Sequence, residues 1–186
     1  DGTSVAIVLC DCDGLKTVND MRGHEAGDAL LELVASCLRT HKRTTDVAAR
    51  FGGDEFAVLL DGIGDSQAAI VVARKLIANF DRPVQLGTRE VRTSLSIGIS
   101  CFPQDGGDAE ELLRHADAAM YRAKNESRGS YQFYSEQMNL RALENLVMGS
   151  ALRLALQRGE LLLHFQPQYH LASGRPRSEE HTSELQ

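Results

Sequence analysis

The stretch DVAARFGGDEFAVLL, residues 46–60, decides the fold, because it predicts two strands joined by a turn at a pair of glycines. Gly52 and Gly53 are expected to supply the positive φ angles of a tight hairpin turn. After the turn, Phe56, Val58 and Leu60 alternate with Glu55, Ala57 and Leu59, as the residues on the two faces of a strand do. Asp54 and Glu55 are therefore expected at the tip of a hairpin, where two adjacent acids need an explanation.

Strand and helix patterns alternate on both sides of this hairpin. Upstream, a continuous apolar run predicts a buried strand at 5–9, and helical spacing predicts a helix over 26–39. Downstream, the pattern predicts a helix over 66–80, a hairpin that turns at Gly87, a helix that begins at Asp108 in a capping box with Glu111, and an edge strand in YQFY. The predicted fold class is α/β, a mixed central sheet flanked by helices.

Four segments are predicted along the chain. Residues 1–134 form the folded domain, whose N-terminal part is expected to be missing because a strand begins almost at the first residue. Residues 135–158 carry an apolar stripe and predict one linker helix. Residues 159–176 begin a strand that cannot fold alone. The last ten residues, RSEEHTSELQ, resemble a translated sequencing adapter, so 177–186 is interpreted as non-native, with a natural polar tail as the alternative.

Composition excludes several classes of function. The formal charge of −6 argues against a surface for nucleic acid, because phosphate backbones are held by clustered Lys and Arg. Neither a signal peptide nor an apolar run long enough to cross a bilayer is present, which predicts no direct membrane contact and a cytoplasmic location, even if the parent protein is anchored. The four cysteines lack metal-type spacing and predict reduced, mostly buried thiols.

Four sequence blocks together resemble the GGDEF domain, the diguanylate cyclase family. They are FGGDEF at 51–56, DCDGLKTVNDMRGHEAGD at 11–28, SLSIGIS at 94–100 and ADAAMYRAKNESRG at 116–129, in the expected order. The resemblance implies a nucleotidyl-cyclase fold related to the polymerase palm. The stretch ELLLHFQPQYHLASGRP, 160–176, resembles the first strand of an EAL domain, the cyclic-di-GMP phosphodiesterase barrel.

The resemblance implies the condensation of two GTP into cyclic-di-GMP and pyrophosphate, at the interface of a homodimer. Asp11, Asp54 and the backbone carbonyl of Cys12 would hold Mg²⁺, with Mn²⁺ as an alternative ion, because hard oxygen ligands suit these cations. Asp54 would also activate the 3′-hydroxyl, with Glu55 as a helper and Lys16 beside the triphosphate. The alternative is that acids after a turn serve only solubility.

The same resemblance assigns the nucleotide contacts. Asn19 and Asp28 would read guanine, since a carboxylate can accept from its N1–H and N2–H₂ together; as alternatives, Asn19 would cap a turn and Asp28 a helix. Lys124 and Arg128 would join Lys16 at the triphosphate, four residues apart on one helix face. A solvated basic helix end is the alternative.

A second site is implied by RTTD, residues 43–46. In the family, Arg43 and Asp46 of this R-x-x-D pattern would bind cyclic-di-GMP as an inhibitory product, since Arg can bond guanine or phosphate and Asp can accept from N–H donors. An ordinary surface ion pair is the alternative.

Two rival functions follow from the sequence. The domain could bind GTP without turnover and regulate an adjoining phosphodiesterase. A polymerase-like enzyme acting on nucleic acid would share the metal chemistry, but the acidic charge and the lack of an aromatic or basic surface that follows a strand argue against it.

Overall fold

The computed structural model describes residues 4–86 and 89–136, and the isolated later positions 138, 148, 151, 154, 155, 158–160, 169, 170 and 173. The chain divides into two compact units, Asp1–Ala142 and Leu143–Gln186. The helices and strands below belong to the first unit. Most of the predicted linker helix, the EAL-like strand and the C-terminal tail fall outside the described residues, so those interpretations stay predictions. Along the described part of the chain, no helix combines the length and apolar character that crossing a bilayer requires.

The first unit is a mixed sheet with helices on both faces. Its elements, in chain order, are β1 (Val5–Asp13), α1 (Leu15–Arg22), α2 (His24–His41), β2 (Val47–Gly52), β3 (Glu55–Leu60), α3 (Ser66–Ala78), β4 (Val84–Leu86), β5 (Arg89–Val91), β6 (Ser94–Phe102), α4 (Ala109–Glu126) and β7 (Tyr131–Phe133). Five strands form a sheet in the order β2-β3-β1-β6-β7, and β4 pairs with β5 separately. Pairing in the large sheet is antiparallel except between β6 and β7. This confirms the predicted α/β class.

β1 is the central strand, and its residues alternate between two cores. Its even-numbered apolar residues pack with α2 and α3, in a cluster that includes Val8, Leu30 and Leu76. Its odd-numbered residues Ile7 and Leu9 pack against α4. Since the side-chain period of a strand is two, Asp11 continues the α4 face. The apolar run of the sequence therefore aims its first carboxylate at α4.

α4 approaches the sheet closely where β6 has a glycine. A Cβ built on Gly98 would lie 2.0 Å from the backbone oxygen of Ala116 and 2.2 Å from the backbone nitrogen of Met120. Only glycine allows a helix backbone this near to a strand. Gly98 thus sets the distance between β6 and the helix that carries Lys124.

The four cysteines are buried and free, as the sequence predicts. Burial raises the pKa of Cys10 to about 12. It raises the pKa of Cys12, Cys37 and Cys101 to about 11. These thiols are therefore protonated at neutral pH and act as small apolar side chains.

Several local expectations need correction. The sequence did not predict α1, whose eight residues bury only Val18. The tight turn lies at Gly53 and Asp54: Gly53 has φ +47°, whereas Gly52 ends β2 without a positive φ. The two-glycine turn was thus placed one residue too early, and Asp54 itself belongs to the turn. The expected turn at Gly87 lies outside the described residues.

The helix boundaries hold closely elsewhere. The helix expected over 66–80 ends at Ala78. Asp108 is the N-cap of α4, and its Oδ1 accepts from the Glu111 amide at 2.8 Å. Glu111 Oε2 accepts instead from the Gly107 amide at 2.9 Å, one residue before the position a capping box uses.

Candidate functional site

The first acid of the site is a nearly buried carboxylate at the end of β1. Asp11 is 4% exposed, and its Oδ2 lies 2.6 Å from Lys124 Nζ. Burial raises the pKa of Asp11, the Lys124 hydrogen bond and charge oppose this, and repulsion from Asp54 and Asp13 adds to it. The carboxylate therefore lies among two other acids and one ammonium group.

The hairpin turn is tied directly to β1. The Cys12 amide donates to the Asp54 backbone oxygen at 3.1 Å, which brings the turn against the strand end. Glu55 is half-buried and pairs across the ladder with Asp11. Arg50 Nε donates to the Gly53 carbonyl at 3.0 Å and holds the turn from its other side. The structure therefore brings Asp11, Asp54 and Glu55 together.

Asp13 is a fourth acid of the site, which the sequence analysis did not select. It is 9% exposed, and Ser94 Oγ donates to its Oδ2 at 2.6 Å. Ser96 Oγ donates to the same carboxylate at 2.9 Å, and Arg128 Nε lies 4.0 Å from Oδ1. The second Asp of the DCD triplet thus ties the end of β1 to β6 and to the segment after α4.

The two basic residues near α4 reach different acids. Lys124 lies on α4 with 30% of its side chain exposed, and its close contact with Asp11 contradicts the alternative of a solvated helix end. Arg128 lies beyond the helix, which ends at Glu126, so the expectation of one shared helix face is wrong. Its side chain is 70% exposed. Lys16 is exposed in the first turn of α1.

The two residues expected to read guanine lie on successive helices. Asn19 lies inside α1, and its Oδ1 is buried without a hydrogen-bond partner among the described residues. A Cβ on Gly27 would lie 1.9 Å from this oxygen, so Gly27 makes the space that Asn19 occupies. Asp28 is exposed inside α2, which begins at His24, so the alternative that it caps this helix is wrong. Asp28 and Arg50 line a cavity of about 380 Å³ between α2 and β2.

Asp46 of the R-x-x-D pattern is a buried structural acid. It is 3% exposed; its Oδ2 accepts from the Arg43 amide at 2.7 Å, and its Oδ1 from the Asp61 amide at 3.3 Å. Among the described ion pairs, none joins the Arg43 and Asp46 side chains. The alternative of a surface ion pair is therefore wrong. Asp46 instead fixes the turn that presents the exposed Arg43 side chain.

The acid cluster consists of Asp11, Asp13, Asp54 and Glu55, and its fit to a divalent cation depends on which ligands the ion requires. Within residues 4–86 and 89–136, no group of three or more His, Cys, Asp or Glu side chains converges as a complete metal cage. Mg²⁺ does not require one, because it is commonly bound by one or two carboxylates together with substrate phosphates. Asp11 and Asp54 supply such carboxylates, and the repulsion from Asp54 that helps to raise the pKa of Asp11 is a repulsion that a bound cation would relieve. The residues fit the ion.

Comparison with known proteins gives the family. Residues 1–130 match the family described as diguanylate cyclase, GGDEF domain. The chain belongs to the GGDEF family. The chain is 43% identical over 174 residues to MucR of Pseudomonas aeruginosa, a bifunctional diguanylate cyclase/cyclic di-GMP phosphodiesterase; the match covers 94% of this chain and 25% of MucR. It is 40% identical over 173 residues to NbdA of the same organism, a cyclic di-GMP phosphodiesterase, over 93% of this chain and 22% of NbdA.

A solved structure supports the same family. The GGDEF domain of TpbB (YfiN) from Pseudomonas aeruginosa superposes with a TM-score of 0.70 and is 40% identical, over 72% of this chain and 83% of that one. TpbB is named a diguanylate cyclase. The present chain spans about a quarter of the length of the curated relatives MucR and NbdA. The sequence and structure comparisons thus agree on the GGDEF family for this chain.

Sequence reasoning missed Asp13 and Arg50, although both had a signal. Asp13 completes an acid-x-acid pattern at the end of a buried strand, and Arg50 precedes the glycine pair by two residues. Neither pattern shows which partner it reaches. The contacts of Ser94 and Ser96 with Asp13, and of the Gly53 carbonyl with Arg50, are identified only in three dimensions.

Proposed function

We propose that this GGDEF domain is a diguanylate cyclase that condenses two GTP into cyclic-di-GMP and two pyrophosphates. The observation that carries the proposal is the buried Asp11 carboxylate, held beside the Asp54 turn and 2.6 Å from Lys124. An acid pair with an adjacent ammonium group is suited to a triphosphate and its cation. GTP as substrate supports a cytoplasmic location.

The chemical step joins two nucleotides. The 3′-oxygen of one GTP forms a bond to the α-phosphorus of the other, and the bond from that phosphorus to the bridging oxygen breaks. Pyrophosphate leaves with the bonding electrons, and the hydroxyl proton passes to Asp54 or to water. Two such steps close the ring.

The protein's own residues position and polarise the reactants. Asp11, Asp54 and the Cys12 carbonyl would hold Mg²⁺ or Mn²⁺. When bound, this ion would stabilise negative charge on the phosphoryl oxygens and lower the pKa of the attacking 3′-hydroxyl. The amide of Cys12 fixes Asp54 through its backbone oxygen, so the carboxylate starts from a defined position. Lys124 would exchange Asp11 for a phosphate oxygen, with Arg128 and Lys16 at the distal phosphates. Glu55 would assist beside Asp54.

Guanine recognition is supported by an unpaired atom. Asn19 Oδ1 is buried and accepts no hydrogen bond from any residue that the structure describes, an arrangement that costs free energy unless a ligand donor reaches it. Guanine has N–H donors along the edge that Asn19 and Asp28 would face. The orphan oxygen therefore favours a base that donates.

A homodimer is required because each domain holds one GTP and the reaction consumes two. The product would then inhibit through the exposed Arg43, which the buried Asp46 positions. Replacing Arg43 by Ala should relieve inhibition by added cyclic-di-GMP. Inhibition that is unchanged in this variant would rule out the product site.

A regulatory role is the second candidate, favoured by the similarity to NbdA, which is named only as a phosphodiesterase. In that case the domain would bind GTP and tune a following EAL domain, of which residues 160–176 would be the start. GTP binding without pyrophosphate release would distinguish the two functions.

The deciding experiment is a turnover assay. The full chain behind a constitutive dimeriser is given GTP and Mg²⁺, and products are separated by chromatography beside Asp54→Asn and Asp61→Asn. Cyclic-di-GMP from the parent and from Asp61→Asn, but not from Asp54→Asn, would support the cyclase. A folded protein that binds GTP and yields no product would favour the regulatory role.

A further inference from the structure

A groove runs along α1, beside the acid cluster. One wall is a single face of the helix, because its residues have helical spacing: Gly14, Thr17, Val18, Met21 and Arg22. The other wall is the segment 90–94, and Arg128 closes the end nearest Asp13. The cavity holds about 470 Å³, and α1 gives it a length of about 12 Å.

The groove is joined to the acid cluster by hydrogen bonds. Thr93 Oγ1 donates to the Asp13 backbone oxygen at 2.8 Å, and Ser94 Oγ donates to the Asp13 carboxylate at 2.6 Å. Asp13 pairs with Ser94 in the β1–β6 ladder. The 90–94 wall is therefore fixed against the end of β1, where the reacting phosphates are expected.

The charge of the groove points to an anionic ligand. Arg22 and Arg92 are exposed, and among the described residues neither makes an ion pair or a side-chain hydrogen bond. Arg128 is 70% exposed and lies 4.0 Å from Asp13, a distance that leaves its other donors available. Three guanidinium groups from three separate segments thus line one cavity, against the carboxylates of Glu90 and Asp13.

We propose that this groove is a polyphosphate site in which Arg22 and Arg92 bind the pyrophosphate group as it separates from the nucleotide. Guanidinium groups bind phosphate oxygens through paired N–H donors, and several spaced along a groove match a ligand with several charged oxygens. The hydroxyls of Thr17 and Thr93 add donors along the same path. The biological ligand rests on the proposed cyclase function; the binding chemistry does not.

The test is calorimetric binding of sodium pyrophosphate to the full chain, with EDTA present so that no divalent cation contributes to binding. Arg22→Gln and Arg92→Gln should each weaken binding about tenfold, as expected for loss of a charged hydrogen bond. Arg114→Gln is the matched control, because Arg114 is an exposed arginine of α4 paired with Glu111. Unchanged binding in the groove variants, or an equal loss in Arg114→Gln, would overturn the proposal.

Two further ligands identify the source of the phosphates. If a non-hydrolysable GTP analogue loses affinity with the groove variants while GMP does not, the groove holds the distal phosphates of the bound nucleotide. If the analogue is unaffected, the groove takes released pyrophosphate.

A chain that binds pyrophosphate as described but forms no cyclic-di-GMP would contradict the proposed cyclase function and leave the groove proposal standing. An active cyclase whose pyrophosphate binding ignores Arg22 and Arg92 would defeat the groove alone.

Discussion

Replacing Gly98 by Ala should destabilise the domain and disable the site by one steric effect. The new Cβ would lie 2.0 Å from the Ala116 backbone oxygen, and relief to about 3.0 Å requires α4 to move by roughly 1 Å. The same shift would stretch the Lys124–Asp11 contact from 2.6 Å beyond hydrogen-bond range. Because backbone rather than a flexible side chain blocks the Cβ, we expect the free energy of unfolding to fall by about 3 kcal/mol, the upper end of the range for overpacked cores.

Thermal unfolding followed by circular dichroism measures this effect. A loss of this size should lower the melting temperature by roughly 10 °C. Gly64→Ala is the control, since Gly64 has no positive φ and a Cβ there would meet nothing within 4 Å. A Gly98→Ala protein that melts within about 2 °C of the parent would refute the steric reasoning.

Three further predictions follow from burial and packing. Burial raises the pKa of Asp11, so the parent should lose stability as pH rises from about 4 through that raised pKa. In metal-free thermal melts, the melting temperature of Asp11→Asn should depend less on pH over this range. Parallel curves for the two proteins would contradict this. Gly27→Ala should displace the Asn19 amide and weaken GTP binding by titration with little loss of stability, since a side chain rather than backbone is struck; unaltered GTP affinity would argue against Asn19 as a base contact. The native protein at pH 8 should resist iodoacetamide at all four cysteines and react at all four in guanidinium, as counted by mass spectrometry, because the thiols are buried with raised pKa values; rapid native labelling would show that the core opens.

The parts of the fold that the sequence predicts are those with a local pattern. β3 alternates with period two, and α3 and α4 repeat an apolar face over several turns, so their existence and type follow from the residues. α1 was missed because eight residues with one buried side chain offer too few turns for a period to appear. The one-residue error at the Gly53 turn reflects a register shift between Arg50 and Gly52, which no composition reveals.

The site divides in the same way. The acids and bases were selected from motifs, but their partners were not, because each contact joins distant parts of the chain. Lys124 reaches Asp11 only because Gly98 lets α4 approach, and Asp13 finds two serines on β6. That Asp46 binds the product stays a prediction. That its carboxylate accepts from two backbone amides could not be predicted, because burial of a carboxylate in a turn has no signature in one sequence.

The sheet order gives Asp11 and Asp54 unequal support from neighbouring strands. Asp11 lies on a strand bonded to β3 on one side and β6 on the other, so its backbone can open only when much of the domain unfolds. Asp54 lies in a turn whose outer strand, β2, is bonded to β3 alone among the described strands. We therefore expect slow amide hydrogen exchange in the strand that carries Asp11. In the turn that carries Asp54, beside the edge strand, we expect faster exchange. A protein that binds or releases this hairpin could move Asp54 toward or away from Asp11 without unfolding the domain. A signal that acts on the hairpin would therefore cost little free energy.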